Sequence, residues 1–329
     1  MSMTATPPLV GITGATGFVG AALVDLLRAK GFRIRVLIRN RARLAVDPAG
    51  LEISVGDLGD ADALYRFADG LDHGVHCAGL THAKNRADFY RVNVEGAAAL
   101  ADAFARAGDH TAHAADRRFV HISSLAARVP AVSTYADSKS QSEAAVRDAI
   151  TAGPGEPSSW VCLRAPALYG PRDTATLPFF KSVKTGIAPI PGGAQTRASI
   201  LHVNDFACAV ETALTKAVPG RLYEVGDQQP DGHSWSDIAH ACAAGLGVSV
   251  RILPLPKALL SGWAFVSSSA MRLAGRAPMV TPEKIDEFFY PDWAARENLL
   301  ADATDWHPQI ALAAGFEQTA RWYRDNQLL

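Results

Sequence analysis

Cysteine is scarce. The chain of 329 residues has four, Cys77, Cys162, Cys208 and Cys242. None forms a C-x-x-C pair or a zinc spacing, and each lies in an apolar run. That excludes a disulfide-framed fold and reads as buried free thiols in a reducing cytoplasm. Surplus charge of either sign is also missing. Lys plus Arg number 32 and Asp plus Glu 33, a net charge of −1. A nucleic-acid partner needs clustered excess Lys and Arg, so none is expected. The opening MSMTATPPLV has no basic stretch followed by an apolar one and does not read as a secretory signal. No apolar run is long enough to span a bilayer. ALLSGWAFVSSSAM, between Lys257 and Arg272, is too short and too rich in Ser. It reads as a buried or substrate-capping helix, with monotopic membrane contact as the alternative. No stable membrane insertion is expected. His, Asp and Glu form no cluster with metal-ligand spacing, so no metal is expected. Internal repeats and long low-complexity segments are absent.

What the chain does have is globular composition, 48% hydrophobic and 20% charged. Its first half alternates short apolar runs with helical patterns. Strands are expected at LVGIT (9–13), RIRVLI (33–38), LEISVGD (51–57), GVHCA (74–78), RFVHISS (118–124) and WVCLRA (160–165). Helices fall between them, as in FVGAALVDLLRAKG (18–31) and NVEGAAALADAFARAG (93–108), while TAGPGEPSS (151–159) reads as a loop. Such alternation predicts an α/β fold, a doubly wound parallel sheet of Rossmann type. After residue 170, Pro and Gly become frequent and the alternation fades, although RLYEVGD (221–227) still reads as a strand. Residues 1–170 are therefore expected to form a dinucleotide-binding domain. Residues 171–329 form a smaller C-terminal substrate lobe, interleaved with the main sheet.

VGITGATGFVG places Gly11, Gly14, Gly17 and Gly20 three apart, after an apolar strand and at the start of an apolar helix. A pyrophosphate at a helix N-terminus needs close backbone approach, free N–H groups and the positive end of the dipole. Glycine permits that approach, and Gly20 would let the helix pack closely on the sheet. Thr16, Phe18 and Val19 belong to the same turn and are expected to line the cofactor. An NAD site usually carries an acid about twenty residues further on. Here the run is IRNRAR, with Arg39 at the strand end and Arg41 and Arg43 after it. A guanidinium suits a 2′-phosphate, so NADP(H) is preferred over NAD(H). Asp57 ends the third strand and is positioned to accept from an adenine amino group, with Leu58 beside it.

HISSLAARVPAVSTYADSKSQSE (121–143) carries Tyr135 and Lys139 four apart, hence on one helix face. An ammonium beside a phenol lowers its pKa. Such a phenol can exchange a proton with a carbonyl or alcohol oxygen, and a nearby Ser hydroxyl can hydrogen-bond the same atom.

In their order along the chain, TGATGFVG (13–20), GDLGD (56–60), HCAG (76–79), NVEG (93–96), HISS (121–124), YADSK (135–139), PALYGP (166–171), HVND (202–205) and WHP…GFEQTARWY (306–323) carry a resemblance. The chain resembles, over nearly its whole length, the extended short-chain dehydrogenase/reductase superfamily, the NAD-dependent epimerase/dehydratase group. That resemblance implies Tyr135 as acid/base, Lys139 as the group that lowers its pKa and bonds the nicotinamide ribose, and Ser124 as the group polarising the substrate oxygen. It implies Asn93 as the support of the lysine, Ala78 and Gly79 as cofactor lining, and Pro166, Ala167 and Tyr169 along the nicotinamide.

Ser124 and Tyr135 stand closer in sequence than in sugar-nucleotide members, leaving only LAARVPAVST between them. A wider mouth follows, or a lid from elsewhere, such as LTHAKNRAD (80–88), and a bulky or apolar substrate becomes plausible. Ser-Ser-Leu stands where sugar dehydratases resemble Thr-Asp-Glu, which disfavours 4,6-dehydration. Thr81, Ser123 and Arg197 are substrate candidates, the arginine because its counterpart contacts substrate phosphate in sugar-nucleotide members. His202 and Asp205 read as packing and capping groups. The expected function is an NAD(P)-dependent oxidoreductase, an NADPH-preferring carbonyl reductase or alcohol dehydrogenase acting on a small-molecule substrate. The alternatives are a nucleoside-diphosphate-sugar epimerase with tightly bound cofactor, and a non-catalytic NAD(P)-binding sensor or assembly factor. A homodimer is compatible with the fold class.

Overall fold

A computed structural model describes residues 6–107, 116–154, 159–192 and 195–329. The start of the N-terminal segment and residues 155–158 of TAGPGEPSS, both read above from sequence, lie outside the described residues.

Seven strands form one parallel sheet: β1 (Leu9–Thr13), β2 (Arg33–Ile38), β3 (Leu51–Val55), β4 (His73–His76), β5 (Arg118–Ser124), β6 (Trp160–Ala165) and β11 (Arg221–Glu224). Their spatial order is β11-β6-β5-β4-β1-β2-β3. Every pairing is parallel, for example Ile12 with Val36 and Val120 with Val161. Strand β1 is buried at all five positions because helices cover both faces of the sheet. Helices α1 (Phe18–Ala29) and α7 (Val203–Thr215) pack together on one face. Leu23, Val24 and Leu27 meet Phe206 and Val210 in its core. Helices α2 (Ala61–Ala68), α3 (Arg86–Phe89), α4 (Gly96–Arg106) and α5 (Thr134–Ala152) follow in the chain, and Phe67, Leu100, Phe104 and Ile150 fill the second face. This is a doubly wound Rossmann-type sheet. Its order reverses between β1 and β4, which opens a crevice at the carboxyl ends of those strands.

The remaining elements build the C-terminal lobe. Short parallel pairs join β7 (Ala167–Tyr169) to β10 (Ile200–His202), β8 (Ile187–Pro191) to β12 (Arg251–Leu255), and β9 (Arg197–Ala198) to β13 (Asp292–Trp293). Helices α6 (Leu177–Lys184), α8 (Trp235–Leu246) and α12 (Leu312–Asp325) share a third core with Tyr169, Phe180, Phe316 and Tyr323. Helices α9 (Lys257–Leu273) and α10 (Pro282–Phe289) pack on each other, and α11 (Leu300–Ala303) precedes α12. Strand β11 belongs to the main sheet and α7 packs on it, although both come from the second half of the chain. All four cysteines are free; Cys162 and Cys242 are buried, whereas Cys77 and Cys208 are only half-buried.

Candidate active site

The crevice between β1 and β4 begins with a turn that only glycine can make. Gly14 has φ +78°, and a Cβ there would stand 2.8 Å from the Ala78 nitrogen, so the two loops meet backbone to backbone. A Cβ on Gly20 would fall 2.2 Å from the Gly14 oxygen, which lets α1 start directly against the turn. Gly17 is the N-cap of α1 and supplies no capping side chain, and the first turn holds no acid. Free N–H donors and the positive helix end suit an anion, so these residues fit a dinucleotide pyrophosphate. Thr16 and Gly17 are exposed at the turn, with Phe18 and Val19 half-buried behind it. Gly11 is different. It lies in mid-strand, where a Cβ would meet Leu71 and Phe67, so its role is packing and not cofactor lining as the motif had suggested.

At the next strand ends, Arg39 extends into solvent with its side chain 75% exposed, and Nη1 lies 3.7 Å from Asp57 Oδ2. Asp57 Oδ1 accepts from the Gly59 N–H at 3.0 Å, and Leu58 packs over Gly96.

Asn93 ties three parts of the site together. It is buried in a π-helical turn, Tyr90–Glu95, a distortion common near functional sites. Its Oδ1 accepts from the Leu80 N–H at 2.7 Å, and Nδ2 donates to the Leu80 oxygen and to Ser138 Oγ, both at 3.0 Å. Ser138 Oγ in turn donates to the Tyr135 carbonyl at 2.8 Å. The loop after β4, including Ala78 and Gly79, is thereby held against α5. A Cβ on Gly79 would sit 3.2 Å from Asn93 Oδ1.

Alternation along β5 sends its two terminal serines to opposite faces. Ser124 Oγ accepts from the Ala126 N–H at 3.2 Å and lies near enough to the Tyr135 phenol to favour its ionised form. Ser123 Oγ donates to Glu143 Oε1 at 2.6 Å and is buried away from the crevice, so it is not positioned for substrate as expected above. Lys139 Nζ donates to the Ile122 carbonyl at 2.7 Å. Burial pushes the Tyr135 phenol up to about 12; the nearby Glu287 carboxylate adds to that rise and the Ser124 hydroxyl opposes it. The expected lowering by Lys139 does not appear, because burial dominates and the amine is turned to a carbonyl. Burial also holds the lysine below its ordinary value, opposed by Cys162, Glu143 and Cys77.

Tyr135 faces a cavity of about 590 Å³ that Thr81, His82, Phe89, Phe265 and Met279 help to line. The 80–88 loop thus borders the site, as the short Ser124–Tyr135 connection had suggested. Helix α10, which no motif indicated, closes another side. Lys284 Nζ lies 5.7 Å from the centroid of the Tyr135 ring, Glu287 accepts from Ser133 Oγ at 2.5 Å, and Glu283 accepts from the Thr134 N–H at 3.0 Å. A smaller cavity of about 270 Å³, by Lys30, His73 and Arg118, lies at the opposite end of the strands, remote from this chemistry.

Two further expectations need correction. Tyr169 follows the buried Pro166 and exposed Ala167, but its ring turns into the third core, 4.6 Å from Phe316. The side chain therefore does not lie along a nicotinamide. Arg197 is half exposed and its Nη1 lies 3.6 Å from Asp237 Oδ2, a surface pairing. His202 and Asp205 do serve structure: one caps α7 at Asn204, and the other accepts from the Gln309 and Ile310 N–H groups.

Residues 10–226 match the NAD dependent epimerase/dehydratase family. The chain belongs to that family. Its members' nicotinamide dinucleotide chemistry makes this chain an enzyme of the extended short-chain dehydrogenase/reductase type. It is 36% identical over 322 residues to the ceramide reductase of Caulobacter vibrioides, spanning 96% of this chain and 94% of that protein. Its fold is that of the UDP-glucose 4-epimerase of Thermotoga maritima solved with UDP-glucose, with TM-score 0.73, 15% identity and coverage of 97% and 99% of the two chains. The UDP-glucose 4-epimerase of Thermus thermophilus, solved with NAD, matches with TM-score 0.70, 22% identity and coverage of 96% and 99%.

Proposed function

We propose that this family member is an NADPH-dependent reductase of a lipid ketone, a carbonyl carried between apolar tails. The observation that carries this reading is the composition of the Tyr135 cavity. Phe89, Phe265, Pro278 and Met279 give one side of it an apolar wall, beside charged groups that include Lys84, Arg86 and Lys284, and Phe265 and Met279 also reach the surface. The similarity to a ceramide reductase over almost both full lengths supports the same substrate class. Arg197 pairs with Asp237 at the surface and is not among the residues that line the Tyr135 cavity, which weighs against the part that the epimerase reading gave it.

When bound, the dinucleotide supplies the hydride that adds to the carbonyl carbon. Ser124 Oγ hydrogen-bonds the carbonyl oxygen and orients it. Tyr135 Oη gives its proton to that oxygen, so that the ketone becomes a secondary alcohol, and the phenolate regains a proton from solvent. Lys139, one turn along α5, would stabilise the phenolate only by turning from the Ile122 carbonyl to which it donates. Asn93 holds the helix and the Leu80 loop in register. The free thiols suit a reducing cytoplasm.

The raised phenol pKa has a directional consequence. A phenol near 12 is protonated throughout the neutral range and stands ready as an acid. Ketone reduction should therefore have a kcat/KM that is flat from about pH 6 to about pH 9. The reverse alcohol oxidation requires the phenolate and should rise up to about tenfold per pH unit over the same range. A reduction rate that instead collapses near neutrality would place a different acid at the carbonyl.

The functional test measures NADPH oxidation with ceramide-like ketones and with nucleoside diphosphate sugars. Consumption with the ketones alone is expected; sugar interconversion without net NADPH consumption would overturn the reading. Arg39, the exposed cation at the end of β2, should make NADPH bind at least about tenfold tighter than NADH at equal ionic strength, about 1.4 kcal/mol. Arg39→Gln should erase that preference. Equal or tighter NADH binding by the unaltered protein would remove Arg39 as a phosphate reader.

A further inference from the structure

Helix α9 is amphipathic in the inverted sense. Leu259, Trp263, Val266, Ala270 and Leu273 recur at helical spacing and form one stripe. Leu259 is 60% exposed, Trp263 58%, Val266 68% and Leu273 91%. The opposite side buries Ala264 and Ser268, at 0% and 1%. A helix that shelters a serine and presents a tryptophan and leucines to the outside is matched to a surface other than water. The feature is local: six of the eleven large apolar side chains exposed among the described residues lie between Leu259 and Met279.

Charge narrows what that surface is. From Ile238 to Pro282 the chain has no Asp or Glu, yet it carries Arg251, Lys257, Arg272 and Arg276, all exposed. Lys257 pairs with Asp286 at 2.8 Å; among the described residues Arg272 and Arg276 make no ion pair. A second copy of the chain docked here in a twofold arrangement would bring cations against cations. An anionic phospholipid surface accepts both the apolar stripe and its basic flank. No described helix is long and apolar enough to cross a membrane, so the contact is interfacial. Helix α9 also borders the active site: Phe265 and Arg272, on a different side of the helix from the stripe, line the Tyr135 cavity together with Met279.

We propose that α9 docks on an anionic bilayer. Its apolar stripe enters the acyl boundary, Arg272 and Arg276 meet the phosphates, and the mouth of the Tyr135 cavity opens at the membrane surface. The entry of substrate from the lipid rests on the lipid-ketone reading above; docking itself does not.

The full chain is floated with vesicles of phosphatidylcholine, with and without phosphatidylglycerol. Binding is expected to the anionic vesicles, and weaker binding at high salt. Leu259→Ser/Trp263→Ser/Val266→Ser should bind at least about tenfold more weakly, with dinucleotide affinity kept as the check of folding. Arg276→Glu, a single exposed change, should weaken vesicle binding severalfold and carries the test if the triple variant does not fold. The proposal is overturned if the protein ignores anionic vesicles, or if Arg276→Glu binds them as the unaltered protein does. It is equally overturned if the unaltered protein is a dimer that the triple variant dissolves. A water-soluble short-chain ketone separates the two readings. Vesicle binding by a protein that reduces no ketone would sink the reductase and leave the docking intact.

Discussion

Tyr135→Phe should lower kcat for ketone reduction by about 10²- to 10⁴-fold while leaving NADPH affinity unchanged. The substitution deletes one hydroxyl and little else. The phenyl ring keeps its packing on Phe89, whose centroid lies 6.2 Å away, and its place under Lys284. The helix is held by other groups: Ser133 caps it at Ala136, and Asn93 reaches it through Ser138. What disappears is the proton donor at the carbonyl, beside the Ser124 hydroxyl. Ser124→Ala should cost less, because the phenol remains and only the second hydrogen bond to the oxygen is lost. Stopped-flow NADPH oxidation under single-turnover conditions reads both variants at the chemical step. Undiminished turnover by Tyr135→Phe would exclude the phenol as the acid.

How much of this site was legible in the sequence depended on whether the signal was local. The strands 9–13, 33–38, 118–124 and 160–165 occur with the boundaries expected from their apolar runs. Each lies in a sheet covered on both faces, where burial favours apolar runs through the middle of the strand. The helix expected over 93–108 ends at Arg106 and begins with the π turn that holds Asn93, a distortion no periodicity encodes. Side-chain direction was harder to read than backbone position. Ser123 and Ser124 are neighbours, and only the pleat decides which one faces the phenol. Tyr169 sits in a motif beside the crevice, yet its ring fills a gap over Gly315, where a Cβ would lie 2.1 Å from the tyrosine Oη. Arg197 carried a functional analogy but found Asp237 instead. Least legible was α10. Nothing in PEKIDEFF announces that Glu283 and Glu287 would meet the first turn of α5 from nearly 150 residues away. Long-range docking of this kind is set by tertiary packing, and local patterning does not carry it.

Glu224→Ala should destabilise the protein by about 3–5 kcal/mol, the usual consequence of removing one partner from a buried ion pair. Glu224 ends β11 with its side chain fully buried. Its Oε2 accepts from Arg128 Nη1 at 3.3 Å and from the N–H groups of Arg296 at 2.9 Å and Glu297 at 3.2 Å. Its Oε1 lies 3.7 Å from Arg164 Nη1. Arg164 also holds Glu143 through two hydrogen bonds, at 2.9 and 2.8 Å, so one acid removed leaves that guanidinium still paired. Arg128 is the more exposed to loss. It stands in the short connection between Ser124 and Tyr135 and donates to the Ala294 and Asp292 carbonyls, both at 2.9 Å. The network therefore fastens the Ser124–Tyr135 connection to the segment around Asp292 and Ala294, which helps so short a connection keep its two ends in place. Urea unfolding should show a lower midpoint with an unchanged slope. Glu224→Gln should lose less than Glu224→Ala, because the amide oxygen can still accept from the two backbone N–H groups. Arg128→Ala combined with Glu224→Ala should cost less than the sum of the single changes, since each leaves the other's charge stranded. Full additivity would mean that the two residues stabilise the fold independently, and that the loop is anchored by its carbonyl hydrogen bonds alone.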